Sequence, residues 1–173
     1  MRLLIGVASL CLLCSGPVAA QSLAEIEKAE AALEAVWAAT PIQTRTALLV
    51  TEPPAGFGLY EPHPSNAYRP GEPIIAYAEP VGFGYSQPEP GRWQFGFEVD
   101  LLIKTADGRV LGGQENFERL VLTSRTRNRE FMLTLTLDLE GAPPGDYVVD
   151  YTLNDIASDK TGRISLPFAI VDD

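Results

Sequence analysis

Apolar and polar residues alternate in short runs over most of this chain, from Pro41 towards the C-terminus. The alternation is clearest in Phe131–Leu137, where threonines occupy positions 134 and 136, and it recurs in Tyr147–Leu153. Because successive side chains of a strand point to opposite faces, period two predicts strands with one buried face. We therefore expect residues 41–173 to form a mainly β domain, an antiparallel β-sandwich of about seven or eight strands.

Glycine, proline, asparagine and aspartate separate the runs and set the strand limits. Ala106–Arg109 contains Asp-Gly between two apolar runs, which predicts a hairpin with a type I′ turn. The predicted strands are Thr44–Val50, Ile74–Glu79, Trp93–Thr105, Arg109–Gly112, Leu120–Thr123, Glu130–Leu139, Tyr147–Asn154 and Arg163–Val171.

A different pattern precedes Pro41 and predicts one amphipathic helix within residues 21–40. Ser22 and Glu25 have the spacing of a capping box, and Thr40-Pro41 ends the run. Apolar residues recur at spacings of three and four, at Ile26, Ala29, Leu33, Val36 and Trp37. This stripe is expected to lie against the sandwich or cover an edge strand. The alternative is a helix held away from the domain that binds a partner or oligomerises.

Residues 1–20 have the pattern of a secretory signal peptide: Arg2, an apolar run and small residues before Gln21. Cleavage after Ala20 would give a periplasmic or secreted protein with no membrane span, because the apolar run is too short for stable spanning. Both cysteines, Cys11 and Cys14, would be removed, so no disulfide is expected. A lipid-anchored form is the alternative, although the leucines preceding each cysteine are bulky for lipoprotein processing.

The chain carries 13 basic and 23 acidic residues, a formal net charge of −10. Nucleic acid and anionic lipid are therefore disfavoured as partners, since both would be repelled.

The C-terminal part resembles the closing strands of bacterial immunoglobulin-like and fibronectin-like modules. The resemblance rests on Leu139–Val149, Asp155, Lys160–Gly162 and Leu166–Ile170. It implies an immunoglobulin-like sandwich with a Pro-Gly corner, a tyrosine-bearing strand and a terminal hairpin. The chain as a whole resembles small uncharacterised exported bacterial proteins, which implies a localisation and no activity.

Catalytic and metal-binding patterns are weak. His63, the single histidine, lies between two prolines, where we expect a solvated side chain, and it cannot supply a catalytic triad or a two-histidine metal site. Asn154–Asp159 is rich in oxygen ligands but lacks the spacing of a calcium loop, so we interpret it as a turn. A carboxylate pair for glycoside hydrolysis is the remaining enzymatic possibility, with candidates Glu72, Glu79, Glu98 and Asp100.

The segment from Pro53 to Trp93 combines aromatic residues with many glycines and prolines, and it contains Gly-Phe-Gly twice. Most of these rings are expected to be buried, with Phe57 and Phe83 as the exceptions, because flanking glycines permit a bent backbone that presents a ring. The candidate binding residues are Phe57, Tyr60, Phe83, Tyr85, Arg69 and Arg92.

These patterns predict a non-catalytic interaction module that binds a protein or an envelope polymer and uses no cofactor or metal. The alternatives are a small carbohydrate-binding or glycan-hydrolysing envelope protein and a self-assembling structural subunit.

Overall fold

A computed structural model describes residues 22–172 of the chain. The predicted signal peptide lies outside the described residues. The fold is mainly β, with one helix and two sheets. The elements are α1 (Leu23–Ala39), β1 (Gln43–Val50), β2 (Ala67–Tyr68), β3 (Ile74–Val81), β4 (Ser86–Glu89), β5 (Arg92–Thr105), β6 (Val110–Ser124), β7 (Leu133–Leu137), β8 (Gly145–Asp155) and β9 (Thr161–Ile170).

Helix α1 begins at the predicted capping box. The Ser22 Oγ accepts from the Glu25 N–H at 3.3 Å, and the Glu25 carboxylate accepts from the Ser22 N–H at 2.7 Å. At the other end, Thr40 leaves the helical conformation before Pro41, whose ring disfavours a helical residue in front of it. The predicted helix is confirmed.

The strands form two antiparallel layers that share one core. The smaller sheet has the order β1-β3-β7, and the larger has the order β2-β9-β8-β5, with β6 and β4 also paired to β5; only the short β2–β9 pairing is parallel. Alternate residues of both layers meet in one cluster, which includes Leu49 and Leu135 from the smaller sheet and Phe97, Val149 and Leu166 from the larger. The expected alternation of Phe131–Leu137 and Tyr147–Leu153 is confirmed by this burial.

A tyrosine fixes the connection between the two layers where β7 leads into β8. The Tyr147 Oη donates to the Pro143 carbonyl at 2.6 Å, four residues upstream. The ring stacks on Phe168 with centroids 5.4 Å apart, so the turn is tied to β9 as well.

Strand β6 departs most from the sequence prediction. Arg109–Gly112 and Leu120–Thr123 were expected as separate strands, but one strand runs through both. Its middle is polar and largely exposed, and a bulge opposite Asp100 interrupts the period of two. Neither feature gives a hydrophobic signal, so backbone pairing with β5 alone defines the strand. The exposed strand β4 was missed for the same reason, and β2 was missed because two residues are too few to show a period. The described residues form nine strands instead of about seven or eight.

The hairpin between β5 and β6 is present, but its turn is not type I′. Gly108 donates to the Thr105 carbonyl at 2.9 Å and has φ +88°, whereas Asp107 does not have a positive φ. A type I turn followed by a left-handed glycine has this arrangement. The type I′ prediction was wrong because the loop is one residue longer than a two-residue hairpin requires.

Candidate functional site

The six candidate binding residues do not form one platform. Phe57 and Tyr60 are half-buried in the segment that covers the outer face of the smaller sheet. There the Tyr60 ring lies 4.3 Å from the Tyr77 ring, and Gly58 donates its N–H to the Tyr77 Oη at 2.8 Å. This segment covers β3 from outside, so β3 is buried on both faces.

Phe83 corrects the expectation of an exposed ring, because its side chain is completely buried. Gly82 has φ +80°, and a Cβ there would lie 2.6 Å from the Pro41 carbonyl oxygen. The glycine therefore allows the backbone to turn beside the α1–β1 joint and direct the Phe83 ring inward. The ring contacts Phe95, Phe97, Phe131, Trp37 and Tyr85 at centroid distances of 5.0 to 6.0 Å.

Arg69 and Arg92 are exposed and lie next to turns: Arg69 precedes the turn that leads into β3, and Arg92 is the first residue of β5. The Arg69 N–H donates to the Glu72 carboxylate at 3.0 Å, and the Arg92 Nε lies 3.8 Å from the Glu89 carboxylate. Both interactions join residues three positions apart, so they stabilise the local turns.

Tyr85 lines a cleft of about 300 Å³ between the last turn of α1 and the end of the sandwich. One wall is the helix, with Glu34, Trp37 and Ala38. The floor is aromatic, and the other walls come from the loops that follow β6 and β8. The remaining lining residues are Phe83, Gly84, Arg127, Arg129, Ala157, Ser158 and Lys160.

Helix α1 is anchored at this cleft by its last turn. The Trp37 Nε1 donates to the Phe83 carbonyl at 2.8 Å. The Lys160 Nζ donates to the carbonyls of Ala38, Thr40 and Gly82 at 2.7 to 2.8 Å, so it caps the C-terminal end of the helix. All three ammonium N–H groups have partners in this arrangement.

Two arginines give the cleft its remaining positive charge. Arg127 donates to the Glu34 carboxylate at 2.7 Å, and its guanidinium lies 4.0 Å from the Trp93 ring centre. Arg129 is half-buried, and no carboxylate of residues 22–172 lies within 4 Å of its guanidinium. Both arginines come from Arg125-Thr126-Arg127-Asn128-Arg129, an alternating basic run in an acidic chain, and this run was not among the predicted binding residues.

No protein-family model matches this chain, and no curated protein matches it significantly.

Asp155 supports the cleft wall from beneath. Its buried carboxylate accepts from the Gly84 N–H at 2.7 Å, from the Ala157 N–H at 3.0 Å and from the Ser158 hydroxyl. This is the turn chemistry expected for Asn154–Asp159. Across residues 22–172, no group of three His, Cys, Asp or Glu side chains is placed to hold a metal ion.

Each candidate carboxylate for hydrolysis has a hydrogen-bond or ion-pair partner of its own, and Glu98 and Asp100 lie two positions apart on β5. Glu79 is buried and accepts from the Tyr77 hydroxyl at 2.6 Å, and Glu98 pairs with Arg119 at 3.1 Å. Asp100 accepts from the Asn116 N–H and from the Asn154 amide, which fixes the bulge in β6. Glu72 closes the turn at Arg69, as described above.

His63 is more constrained than expected. Its ring is half-buried and stacked on Tyr68 at 4.4 Å, and its Nδ1 accepts from the Asn66 N–H at 3.0 Å. The expectation of a freely solvated ring was wrong, because the His63 N–H pairs with the Leu49 carbonyl and brings the ring against the sandwich.

The apolar stripe of α1 is the second notable surface. Ile26, Leu33 and Val36 are 52%, 44% and 63% exposed, and Trp37 is the one buried residue of the helix. The expectation that this stripe packs on the sandwich was wrong, because only the last turn of the helix reaches the domain. Within the described residues, no helix is long and apolar enough to cross a membrane.

Proposed function

We propose that this protein is an exported, non-catalytic interaction module that binds a partner protein through the apolar stripe of α1. The exposed stripe is the observation that carries the proposal. Exposed apolar side chains are common singly, but a contiguous set along one helix is typical of a docking surface.

The charges beside the stripe define the partner. With 3.6 residues per turn, Glu25 lies on one side of the stripe and Glu30 lies on the other. Glu34, on the same side as Glu30, is already paired with Arg127. A second copy of the chain would bring carboxylates against carboxylates in either orientation. A partner with an apolar groove edged by lysine or arginine complements both features, so we infer a different protein and not self-association.

The fold supports a role as a scaffold for binding. Taking β1, β3 and β7 as one layer and β6, β5, β8 and β9 as the other reproduces the strand order of immunoglobulin-like and fibronectin-like modules. The Tyr147–Pro143 hydrogen bond has the geometry of the tyrosine corner of that fold. We therefore propose an immunoglobulin-like sandwich, and the signal peptide pattern of residues 1–20 supports export. The fold itself does not specify a ligand.

Site-specific photo-crosslinking in intact cells tests the docking surface. A benzophenone amino acid at position 33 or 36 should crosslink to one protein. The same amino acid at Ala31 is the matched control, since Ala31 is exposed on the opposite face of the helix. The captured protein, once purified, should bind the wild type and should lose affinity for Glu30→Lys, which reverses a charge beside the stripe.

Three results would contradict this proposal. These are equal crosslinking from both faces, crosslinks only between copies of this chain, and undiminished binding of the captured protein to the charge-reversed variant. Glu30 is exposed and lies outside the capping box, so thermal unfolding of that variant should match the wild type and rule out misfolding.

A further inference from the structure

The cleft described above has the size of a small-molecule site, and it is independent of the exposed stripe of α1. Binding clefts for small ligands typically enclose ~300–1,000 Å³, with an apolar lining and a few polar groups. This cleft encloses about 300 Å³ over a floor of Trp37 and Tyr85, with the buried Phe83 ring packed behind them. A flat apolar group can therefore be accommodated.

The charges of the cleft favour an anion. Lys160 is occupied by the carbonyls at the helix end, and Arg127 is partly neutralised by Glu34. The Asp155 carboxylate beneath the wall is occupied by Gly84, Ala157 and Ser158. Arg129 is a half-buried residue whose guanidinium has no carboxylate partner among residues 22–172.

A cation in this position is informative because the chain has a net charge of −10 and abundant carboxylates. A guanidinium presents donors in a fixed planar fork that fits a carboxylate through two parallel hydrogen bonds. Tyr85, in the floor, stays neutral, since burial raises the pKa of its hydroxyl to about 12 although Arg129 and Arg127 act to lower it. Its hydroxyl donates to the Asn128 carbonyl at 2.8 Å, which holds the loop that carries both arginines.

We propose that this cleft binds a carboxylate attached to an aromatic or similarly flat apolar group, with Arg129 holding the carboxylate and the Trp37–Tyr85 floor contacting the ring. Two sources share this chemistry: a free aromatic acid and the C-terminal carboxylate of a peptide that ends in an aromatic residue.

Nuclear magnetic resonance of the purified, ¹⁵N-labelled protein tests the site directly. The chain has two tryptophans, and both adjoin the cleft: Trp37 lines it, and Trp93 lies under Arg127. Benzoate should cause a saturable shift of the indole N–H signals, whereas benzamide, the uncharged analogue, should bind about tenfold more weakly or not at all. N-acetylphenylalanine and its amide form the corresponding pair for a peptide C-terminus, and the tighter-binding acid identifies the source.

Variants connect the binding to Arg129. Arg129→Gln should weaken binding of the acid about tenfold. Arg125→Gln is the matched control, because it removes the same charge from an exposed position outside the cleft lining and should leave binding unchanged. If Arg129→Gln does not fold, the salt dependence of binding to the wild type tests the charge interaction instead. Added NaCl should weaken binding of the acid and leave binding of the amide unchanged.

Equal binding of acid and amide, no saturable shift with either acid, or full affinity in folded Arg129→Gln would overturn the proposal. The experiment is also separate from the docking proposal. Leu33→Ser alters the helix stripe and not the cleft lining, so it should bind the acid normally even if the stripe has no partner.

Discussion

At the scale of single residues, three core tyrosines differ in how their hydroxyl groups are satisfied. The Tyr147 hydroxyl donates to Pro143, whereas the fully buried hydroxyls of Tyr68 and Tyr151 have no hydrogen-bond partner among the described residues. Burial raises the pKa of Tyr68 to about 12 and also raises the pKa of Tyr151, so both phenols remain neutral. A buried polar group without a partner lowers stability.

Removing a hydroxyl should therefore have opposite effects at two positions of the same strand. Tyr147→Phe should lower the free energy of unfolding by about 1 kcal/mol through loss of its hydrogen bond, and Tyr151→Phe should raise it by about 1 kcal/mol. Urea unfolding curves measure both, each serving as the other's control. A loss of equal size in both variants would show that the Tyr151 hydroxyl has a partner in solution.

At the scale of elements, α1 is a helix attached by its last turn. Trp37 packs edge-on against Phe83 at 5.0 Å and is buried, whereas Leu33, one turn earlier, is 44% exposed. Surface ion pairs such as Glu34–Arg127 contribute little to stability, so Trp37 and Lys160 dominate the attachment.

Alanine substitutions at two positions of the helix should separate anchoring from docking. Trp37→Ala should cost about 3–5 kcal/mol because it empties a buried aromatic site, and Leu33→Ala should change stability by less than about 0.5 kcal/mol. Chemical denaturation monitored by far-ultraviolet circular dichroism measures both. A cost for Leu33→Ala comparable to that for Trp37→Ala would mean that the stripe packs on the protein itself, and the docking proposal would fail.

At the scale of the whole molecule, a buried ion pair joins the central strands of the larger sheet. Asp150 on β8 accepts from the Lys104 ammonium on β5, and the Arg163 guanidinium on β9 lies 4.0 Å away. Burial raises the pKa of Asp150, but the hydrogen bonds from Lys104 and Ser165 and the charges of Lys104 and Arg163 outweigh it. The pKa is therefore held below the ordinary value of 3.8.

Because this pKa is lower in the folded state, the contribution of Asp150 to stability is present above the unfolded-state pKa and is lost as the pH falls through the folded-state pKa. Asp150→Asn should be less stable than the wild type by about 3 kcal/mol at neutral pH, since it leaves Lys104 without its partner. Its stability should also fall less in acid than that of the wild type. Urea unfolding between about pH 2 and about pH 7 covers this window. Asp159→Asn, an exposed control, should keep the acid dependence of the wild type.

The sequence determined the class of the fold and most of its elements. The capping box at Ser22, the stop at Pro41 and the period of two in β7 and β8 act through neighbouring residues, so a local pattern is enough to reveal them. The full length of strand β6 was not predicted, because its middle is exposed and bulged and only pairing with β5 makes it a strand. The same limit applies to the type of the β5–β6 turn, which depends on how both strands enter it.

Only the tertiary structure decided where the aromatic rings lie. Trp37, Phe83 and Phe131 are far apart in the chain, and packing alone brings them into one cluster. The glycines on either side of Phe83 are compatible with a buried or an exposed ring. The close approach of Pro41 to Gly82 turns the ring inward, and no local pattern encodes that approach.

The cleft illustrates the same dependence on packing. Arg129 is a candidate ligand-binding residue because folding places it beside an aromatic floor without a carboxylate partner among residues 22–172. Arg127, in contrast, pairs with Glu34, which lies in a distant part of the chain. Local sequence determines the apolar period of the strands, the caps of the helix and the positions of the turns, because these depend on residues a few positions apart. Burial, pairing of charges and exposure of the α1 stripe depend on contacts between distant segments, so only the tertiary structure decides them.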